Sequence, residues 1–551
     1  MRPFDRRHAL HLLGAGSISL GTSIGLAGGW PLAALAQEGA MPRNLLANPR
    51  FGADPFTLGV ASGDPASDGF VLWTRLAPRP LEPLGGMEPR PVAVRWEVAG
   101  DARFQTLVAQ GEALAHPELA HSVHVEVAGL APDRPYWYRF RVGREESAVG
   151  RTRTLPAPGA RVERLRFVAA GCQHYEQGLF TAWRHIAQEP VDFVFHYGDY
   201  IYESADHGAG PFKANGRTYD EVRRHVGGEI YTLDDYRRRY ALYKSDPDLQ
   251  AAHAAVPFWM SFDDHEVDNN WASDFDQDGT PPEAFAFRRA MAMQAYYEHM
   301  PLRRSAMPQG SHMQMYRGAR YGDLLHAFVL DTRQYRDDQL YGDTLAPLGP
   351  EAFAQRSIMG AAQERWLYDG LAASDTRWNL IAHQVMVMNL DQRKSPAPGA
   401  VAGGTPTYSM DQWPGYMANR RRLLDCIDTH CKGNVVNVTG DAHRHYAGDL
   451  LQDEGAPGAE GKVISSEFLA TSIASGADGK GDDDAYSRQV RADNPFLKAT
   501  TDKRGYLLCD IIRKEWTGDL KVVDKVTKPG GKLSTYARFI IENGRPGLNR
   551  G

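Results

Sequence analysis

The chain has 551 residues, 42% of them hydrophobic and 24% charged, with a formal net charge of -6 at pH 7. That balance excludes a polytopic membrane protein and a mainly disordered chain, and its acidic sign argues against the broad basic face of a nucleic-acid binder. Four cysteines in so long a chain are too few for a disulfide scaffold, whereas 55 glycines and 34 prolines call for many turns and long ordered loops.

The first 36 residues read as an address. Arg6 and Arg7 follow Asp5, a modestly apolar stretch runs from Leu10 to Gly29, and Ala34-Leu35-Ala36 has the small-x-small pattern of a cleavage site. Gly, Ser and Thr interrupt the apolar stretch, so it lacks the continuous span of about 20 residues that a membrane anchor needs. This is the pattern of a twin-arginine signal peptide over residues 1-36, which implies the twin-arginine export machinery as a partner and a periplasmic or secreted destination. Its removal takes away three arginines and one aspartate and makes the mature chain more acidic. Export in the folded state suits an enzyme that takes up metal in the cytoplasm.

From Phe51 to about Arg153 the pattern is one of short strands, with alternation at Val92-Val98, Val123-Val127 and Tyr136-Val142 and turns at Ser62-Gly63-Asp64-Pro65 and Ala131-Pro132-Asp133. A small all-β sandwich is predicted over residues 45-154, with Leu155-Gly159 as a linker. From residue 164 to 551 apolar runs alternate with amphipathic helices, one carrying Phe287, Met291 and Ala295 on a face and another Leu423, Leu424 and Ile427. This is the pattern of an α/β domain. There is no internal repeat, and the acidic stretch Gly476-Asp484 reads as a solvated loop.

Five apolar runs each end in residues able to bind metal or move protons. Arg166-Ala170 leads into Gly171-Cys172-Gln173-His174, and Val191-Tyr197 into Gly198-Asp199-Tyr200-Ile201-Tyr202-Glu203. Phe258-Phe262 leads into Asp263-Asp264-His265-Glu266, Trp378-Ala382 into His383-Gln384, and Asn434-Thr439 into Gly440-Asp441-Ala442-His443. Singly, each has an ordinary explanation: Asp199 could close an Asx-turn, Cys172 and Tyr202 could be core residues, and His443 a surface histidine. Together they argue for a site, because the carboxyl ends of neighbouring strands in an α/β sheet converge on one edge. Carboxylates suit hard cations, a thiolate and an imidazole favour a transition metal, and a phenolate, from a group of ordinary pKa about 10, requires a strongly Lewis-acidic ion. The mixture predicts a ferric-type site beside one or more calcium-type sites. Ionised, Cys172, Asp199, Tyr202, Asp264 and Asp441 carry five negative charges. One trivalent and one divalent ion cancel them, and a further divalent ion leaves a surplus to hold phosphate.

These motifs resemble those of the PhoD-type alkaline phosphatases and phosphodiesterases, within the wider metallophosphatases that include purple acid phosphatases. The likeness runs from Phe56-Pro65 and Val71-Arg75 through the clusters above and Leu330-Asp331-Thr332-Arg333 to the closing Gly544-Arg545-Pro546-Gly547. It implies a four-layer α/β/β/α core binding Fe3+ and Ca2+. Where purple acid phosphatases have Gly-Asn-His-Glu and Gly-His-x-His, this chain has Asp263-Asp264-His265-Glu266 and Gly440-Asp441-Ala442-His443. Each exchange replaces a neutral ligand by a carboxylate and favours calcium over zinc or manganese. The resemblance assigns iron to Cys172, Asp199, Tyr202 and His443, and calcium to Asp199 as bridge, Asp264 and Asp441, with Asp263 and Asn270 as further candidates.

The activity implied is hydrolysis of phosphomonoesters and phosphodiesters, in which two or more cations clamp phosphate oxygens and acidify a bound water for in-line attack. His265, beside the ligand Asp264, is expected to support that ligand from behind or to transfer a proton. Arg333 is expected either to grip phosphate or to pair with a neighbouring carboxylate. A phospholipase D of the same family is the alternative enzyme, and a non-catalytic metal-dependent binding protein the alternative of another class. Phosphate esters are the expected substrates, without specific nucleic-acid binding or stable membrane insertion. Cys426 and Cys431 are close enough for a short-loop disulfide unless both lie on a helix and its exit, and Cys509 is expected to pack inside.

Overall fold

The computed structural model describes residues 44-46, 49-214, 217-393, 404-452, 461-482 and 484-551, so the predicted signal peptide lies outside the described residues. The apolar runs are buried strands. Arg164–Ala170, Phe193–His196 and Phe258–Met260 run parallel at the centre of a ten-stranded sheet. Leu325–Val329, Trp378–Ala382, Val435–Thr439 and Val463–Leu469 run parallel in a seven-stranded sheet.

The stacking of these two sheets comes from the two-residue period of a strand. Leu165, Phe167 and Ala169 of one sheet share a core with Leu380, Ala382, Val436 and Val438 of the other. The intervening Val168 and Ala170 face a second core, which includes residues of the helices Leu233–Lys244 and Pro282–His299. On the far side, Ile381 and Val435 pack with residues of the helices Gly360–Ala372 and Met417–His430. Both faces of both sheets are therefore covered, and the architecture is helix, sheet, sheet, helix, as expected. Strands Gly505–Ile512, Glu515–Val523, Leu533–Glu542 and Arg545–Arg550 widen the first sheet in antiparallel fashion, so the C-terminal segment is part of the core.

The N-terminal strands are shared between two sheets. Val92–Ala99, Leu107–Ala115 and Pro135–Val142 lie in a separate five-stranded sheet. Val60–Ala66, Gly69–Arg75 and Ser122–Val127 instead continue the ten-stranded sheet through a pairing of Gly63 with Phe258. The two groups still face each other over one apolar core, Val60, Phe70 and Leu72 against Val94, Tyr138 and Phe140.

Two local expectations change. On helix Pro282–His299, Met291 and Ala295 are buried but Phe287 is 53% exposed, and Phe285 and Ala292 complete the inward face instead. The acidic stretch Gly476-Asp484 is bonded rather than simply solvated. Asp478 accepts from the backbone of Val526 and Thr527, Asp482 from Tyr536, and Asp484 caps the helix Ala485–Asp493. The cysteines follow the second of the two alternatives: all four are free, with Cys426 on the helix Met417–His430 and Cys431 at its end, and Cys509 is buried as expected.

Lys244, at the end of its helix, is buried between the N-terminal strands and the loop after Phe193–His196. Its ammonium lies 4.0 Å from the Trp73 ring centre and 5.3 Å from that of Tyr200. Burial pushes its pKa down to about 7. His196, His253 and His299, which its charge reaches, are held neutral chiefly by their own burial. Between about pH 7 and the unfolded value of 10.5 the unfolded chain binds a proton here that the folded chain does not, so this group makes stability rise with pH over that window. Denaturant unfolding at a series of pH values should show that rise in the wild type and a flatter profile in Lys244→Met; parallel profiles would contradict it.

Candidate metal centre

The parallel strands deliver their following loops to one edge. Cys172 follows Arg164–Ala170, Asp199 and Tyr202 follow Phe193–His196, and Asp263, Asp264 and His265 follow Phe258–Met260. From the second sheet come Arg333, after Leu325–Val329, and Asp441 and His443, after Val435–Thr439. Small residues let these loops meet. The Tyr197 ring packs so closely on Gly440 that a Cβ there would lie 2.1 Å from it, and a Cβ on Gly198, at φ +126°, would lie 2.4 Å from Asp263. Cys172, Asp199, Asp441 and His443 all have positive φ, at 52°, 55°, 66° and 55°. Such strain in non-glycine residues is held in place by the surrounding packing.

Three groups of potential ligands adjoin one another. Cys172, Asp199 and His443 form one, Asp199, Asp264 and His265 a second, and Asp263, Asp264 and Asp441 a third, with ligand atoms within 4.8 Å inside each. Asp199 joins the first to the second, and Asp264 the second to the third. The Tyr202 hydroxyl donates to Asp199 Oδ2 at 2.8 Å and lies 3.0 Å from His443 Nε2, and that nitrogen is 3.6 Å from the same carboxylate. All six predicted ligands thus converge. The Asn270 backbone N–H donates to Asp264 Oδ2 at 2.8 Å while its side chain turns away to Asp343.

The donor set fits cations. Asp199 Oδ1, Asp263 Oδ2 and Asp264 Oδ1 are buried carboxylate oxygens without a hydrogen-bond partner among the described residues, an arrangement that is expensive unless a cation neutralises it. Burial, and then Asp264, pushes the Asp199 carboxyl well above the carboxylate range, and burial with Asp263 does the same to Asp441. Burial and then Asp199 raise the Cys172 thiol. Burial also opposes ionisation of Asp264, but Arg333 and then His265 hold it below its ordinary range. A bound cation reverses the upward shifts, since it favours the ionised form of each group.

Of the two readings of Arg333, the structure has the ion pair. The side chain is fully buried, with Nε donating to Asp263 at 2.6 Å, Nη1 to Asp411 at 2.8 Å and Nη2 to Asp441 at 3.3 Å. There it braces the acidic loops from behind. His265 Nδ1 donates to Glu203 over 2.7 Å, and its ring lies against Tyr202 at 4.1 Å. Although burial works against it, Glu203 and then Asp264 hold the His265 imidazolium well above its usual pKa. His383 is fully buried beside Trp413, with no hydrogen bond at either ring nitrogen among the described residues.

Several supporting residues were not assigned from the sequence. Glu266 accepts from the backbone N–H groups of Asp199, Tyr200 and Asp263 at 3.0, 2.5 and 2.8 Å, and so locks two loops together. Its signal was its place in the Asp263-Glu266 motif. Asp411 binds both Arg333 and Arg336, and Gln412 donates to Asp441 at 2.5 Å. Neither comes after an apolar run, so strand-end reasoning does not reach them. A further group, His174, Glu176 and His225, is built of ligand-type residues but spends its polar atoms internally. Glu176 holds His207 and the His225 backbone, and His225 reaches Tyr243 and Ser204.

Fold and site together define a four-layer α/β/β/α protein in which two sheets present a joint set of potential metal ligands. The PhoD-like phosphatase profile matches residues 167–520, and the profile of the PhoD-like phosphatase N-terminal domain matches residues 40–156. The chain belongs to the PhoD-like phosphatases, a family of hydrolases. It is 46% identical over 549 residues, 99% of this chain and 89% of the other, to alkaline phosphatase D of Bacillus subtilis strain 168. It also matches a solved structure of PhoD with a TM-score of 0.85 and 45% identity, covering 91% of this chain and 93% of that one.

Proposed function

We propose that the protein is an exported, metal-dependent alkaline phosphatase that hydrolyses phosphomonoesters and phosphodiesters outside the cytoplasm, after twin-arginine export and loss of residues 1-36. The observation that supports this best is the convergence of Cys172, Asp199, Tyr202, Asp264, Asp441 and His443 around buried carboxylate oxygens that have no hydrogen-bond partner among the described residues. Export rests on the arginine pair and cleavage pattern, and no helix among the described residues is long and apolar enough to cross a membrane. The proposed division is a β-sandwich at 45-154 and a catalytic domain at 164-551, close to the limits of the two family matches.

Cys172, Asp199, Tyr202 and His443 would hold Fe3+, and Asp199, Asp264 and Asp441 would hold Ca2+. Bound there, the ions supply positive charge for phosphate oxygens and acidify water. Arg333 pairs with Asp263 and Asp441 and lessens the cost of ionising them. Glu266 fixes the backbone that carries Asp199 and Asp263. His265, oriented by Glu203, is the group placed to hold a proton for the leaving alcoholate.

A ferric phenolate absorbs visible light. Purified enzyme should therefore be coloured, and Tyr202→Phe should bleach it. A chelator should abolish phosphatase activity and added calcium should restore it where iron is retained. Colourless, iron-free and fully active protein would reject the iron assignment. Parallel assays on p-nitrophenyl phosphate, its bis-ester and phosphatidylcholine separate the proposed activity from that of a phospholipase D, and absence of turnover on all three would favour a binding protein.

A further inference from the structure

The Tyr202 side chain is held on every side. Its ring lies between His174, at 4.5 Å, and His265, at 4.1 Å, and its oxygen meets Asp199, His443 and Ser475. Ser475 is buried, and its Oγ lies 2.7 Å from the Tyr202 oxygen, 2.9 Å from the Cys172 carbonyl and 3.0 Å from the His174 backbone nitrogen. One hydroxyl thus ties together the loops that carry two proposed iron ligands.

Proton counting assigns it a role. The His174 N–H donates to Ser475 Oγ, which leaves that hydroxyl a single proton to place. When Tyr202 is a phenolate it has no proton of its own, Asp199 can only accept, and a ligating His443 nitrogen carries no proton. Among the three partners of the Tyr202 oxygen, Ser475 alone can then donate to it. Turning that proton away from the Cys172 carbonyl does not orphan the carbonyl, because the backbone N–H groups of Ala474 and Ser475 also donate there, at 3.4 and 3.3 Å.

We infer that Ser475 is a positioning residue of the metal centre, donating a hydrogen bond to the ligating Tyr202 oxygen and fixing its place beside Cys172. This rests on the proposed iron-tyrosinate reading. A hydrogen bond to an anionic ligand lowers its electron-donating power, so removing the bond should lower the energy of the phenolate-to-iron transition.

The test uses the full-length holoenzyme and reads the visible spectrum and the rate of iron loss to a chelator. Ser475→Ala should fold, keep a Tyr202-dependent band shifted to longer wavelength, and lose iron roughly tenfold faster or more. Ser475→Cys, similar in size and a weaker donor, should shift the band the same way by less. An unchanged spectrum and release rate in both variants, with a wild-type band that Tyr202→Phe abolishes, would overturn the role of Ser475 alone. A wild type with no Tyr202-dependent band would overturn the iron-tyrosinate reading and this inference with it.

Discussion

Asp199→Asn should lower kcat/KM by about three orders of magnitude or more, the largest catalytic loss of any single substitution at the centre. Asp199 belongs to two potential ligand groups, one with Cys172 and His443 and one with Asp264 and His265, so the change would weaken both proposed ions at once. An ion in such a site contributes several kcal/mol to transition-state stabilisation, and each 1.36 kcal/mol is about tenfold in rate. Metal analysis separates this from a local defect. Asp199→Asn should lose iron and calcium together, whereas His443→Gln should lose iron and keep calcium. Full metal content with a loss of less than about tenfold would remove Asp199 from its bridging position.

The largest expected effect on stability belongs to Arg333→Met. The methionine fills most of the volume but leaves Asp263, Asp411 and Asp441 buried without the guanidinium that now contacts all three. Removing one partner of a buried charge network costs about 3–5 kcal/mol, because the remaining charges stay desolvated. Burial already pushes Asp263 up to about 6 despite the opposing charge of Arg333, so loss of the arginine leaves that carboxyl protonated at higher pH still. The variant should therefore unfold at much lower denaturant concentration when metal-free, with added calcium recovering part of the loss. A metal-free variant within about 1 kcal/mol of the wild type would mean that the network relaxes or fills with water, and that Arg333 is no brace.

Much of this centre is legible in the sequence because strands buried on both faces appear as unbroken apolar runs, and the residues just past each run must lie at the sheet edge. Cys172, Asp199, Asp264, Asp441 and His443 all stand in such positions. Pairing between distant segments leaves no such trace. The bridge from Gly63 to Phe258, which draws three N-terminal strands into the large sheet, depends on a tertiary contact without a local pattern. Asp411 and Gln412 escape sequence reasoning because they lie on an irregular segment brought to the site by the fold. The two readings of Arg333 are inseparable in the sequence. The same guanidinium chemistry serves a phosphate or a carboxylate, and its complete burial among Asp263, Asp411 and Asp441 appears only in the fold. Phe287 shows the limit of helical periodicity: its spacing matches Met291 and Ala295, but the packed face is set by the neighbours and lies slightly to one side.

Anomalous diffraction from crystals of the holoenzyme, recorded on both sides of the iron edge, tests the whole account most directly. A strong iron peak within bonding distance of Cys172, Asp199, Tyr202 and His443, with a second ion lacking that edge beside Asp199, Asp264 and Asp441, is the predicted result. Iron located elsewhere, or these side chains carrying no ion in fully active enzyme, would contradict it.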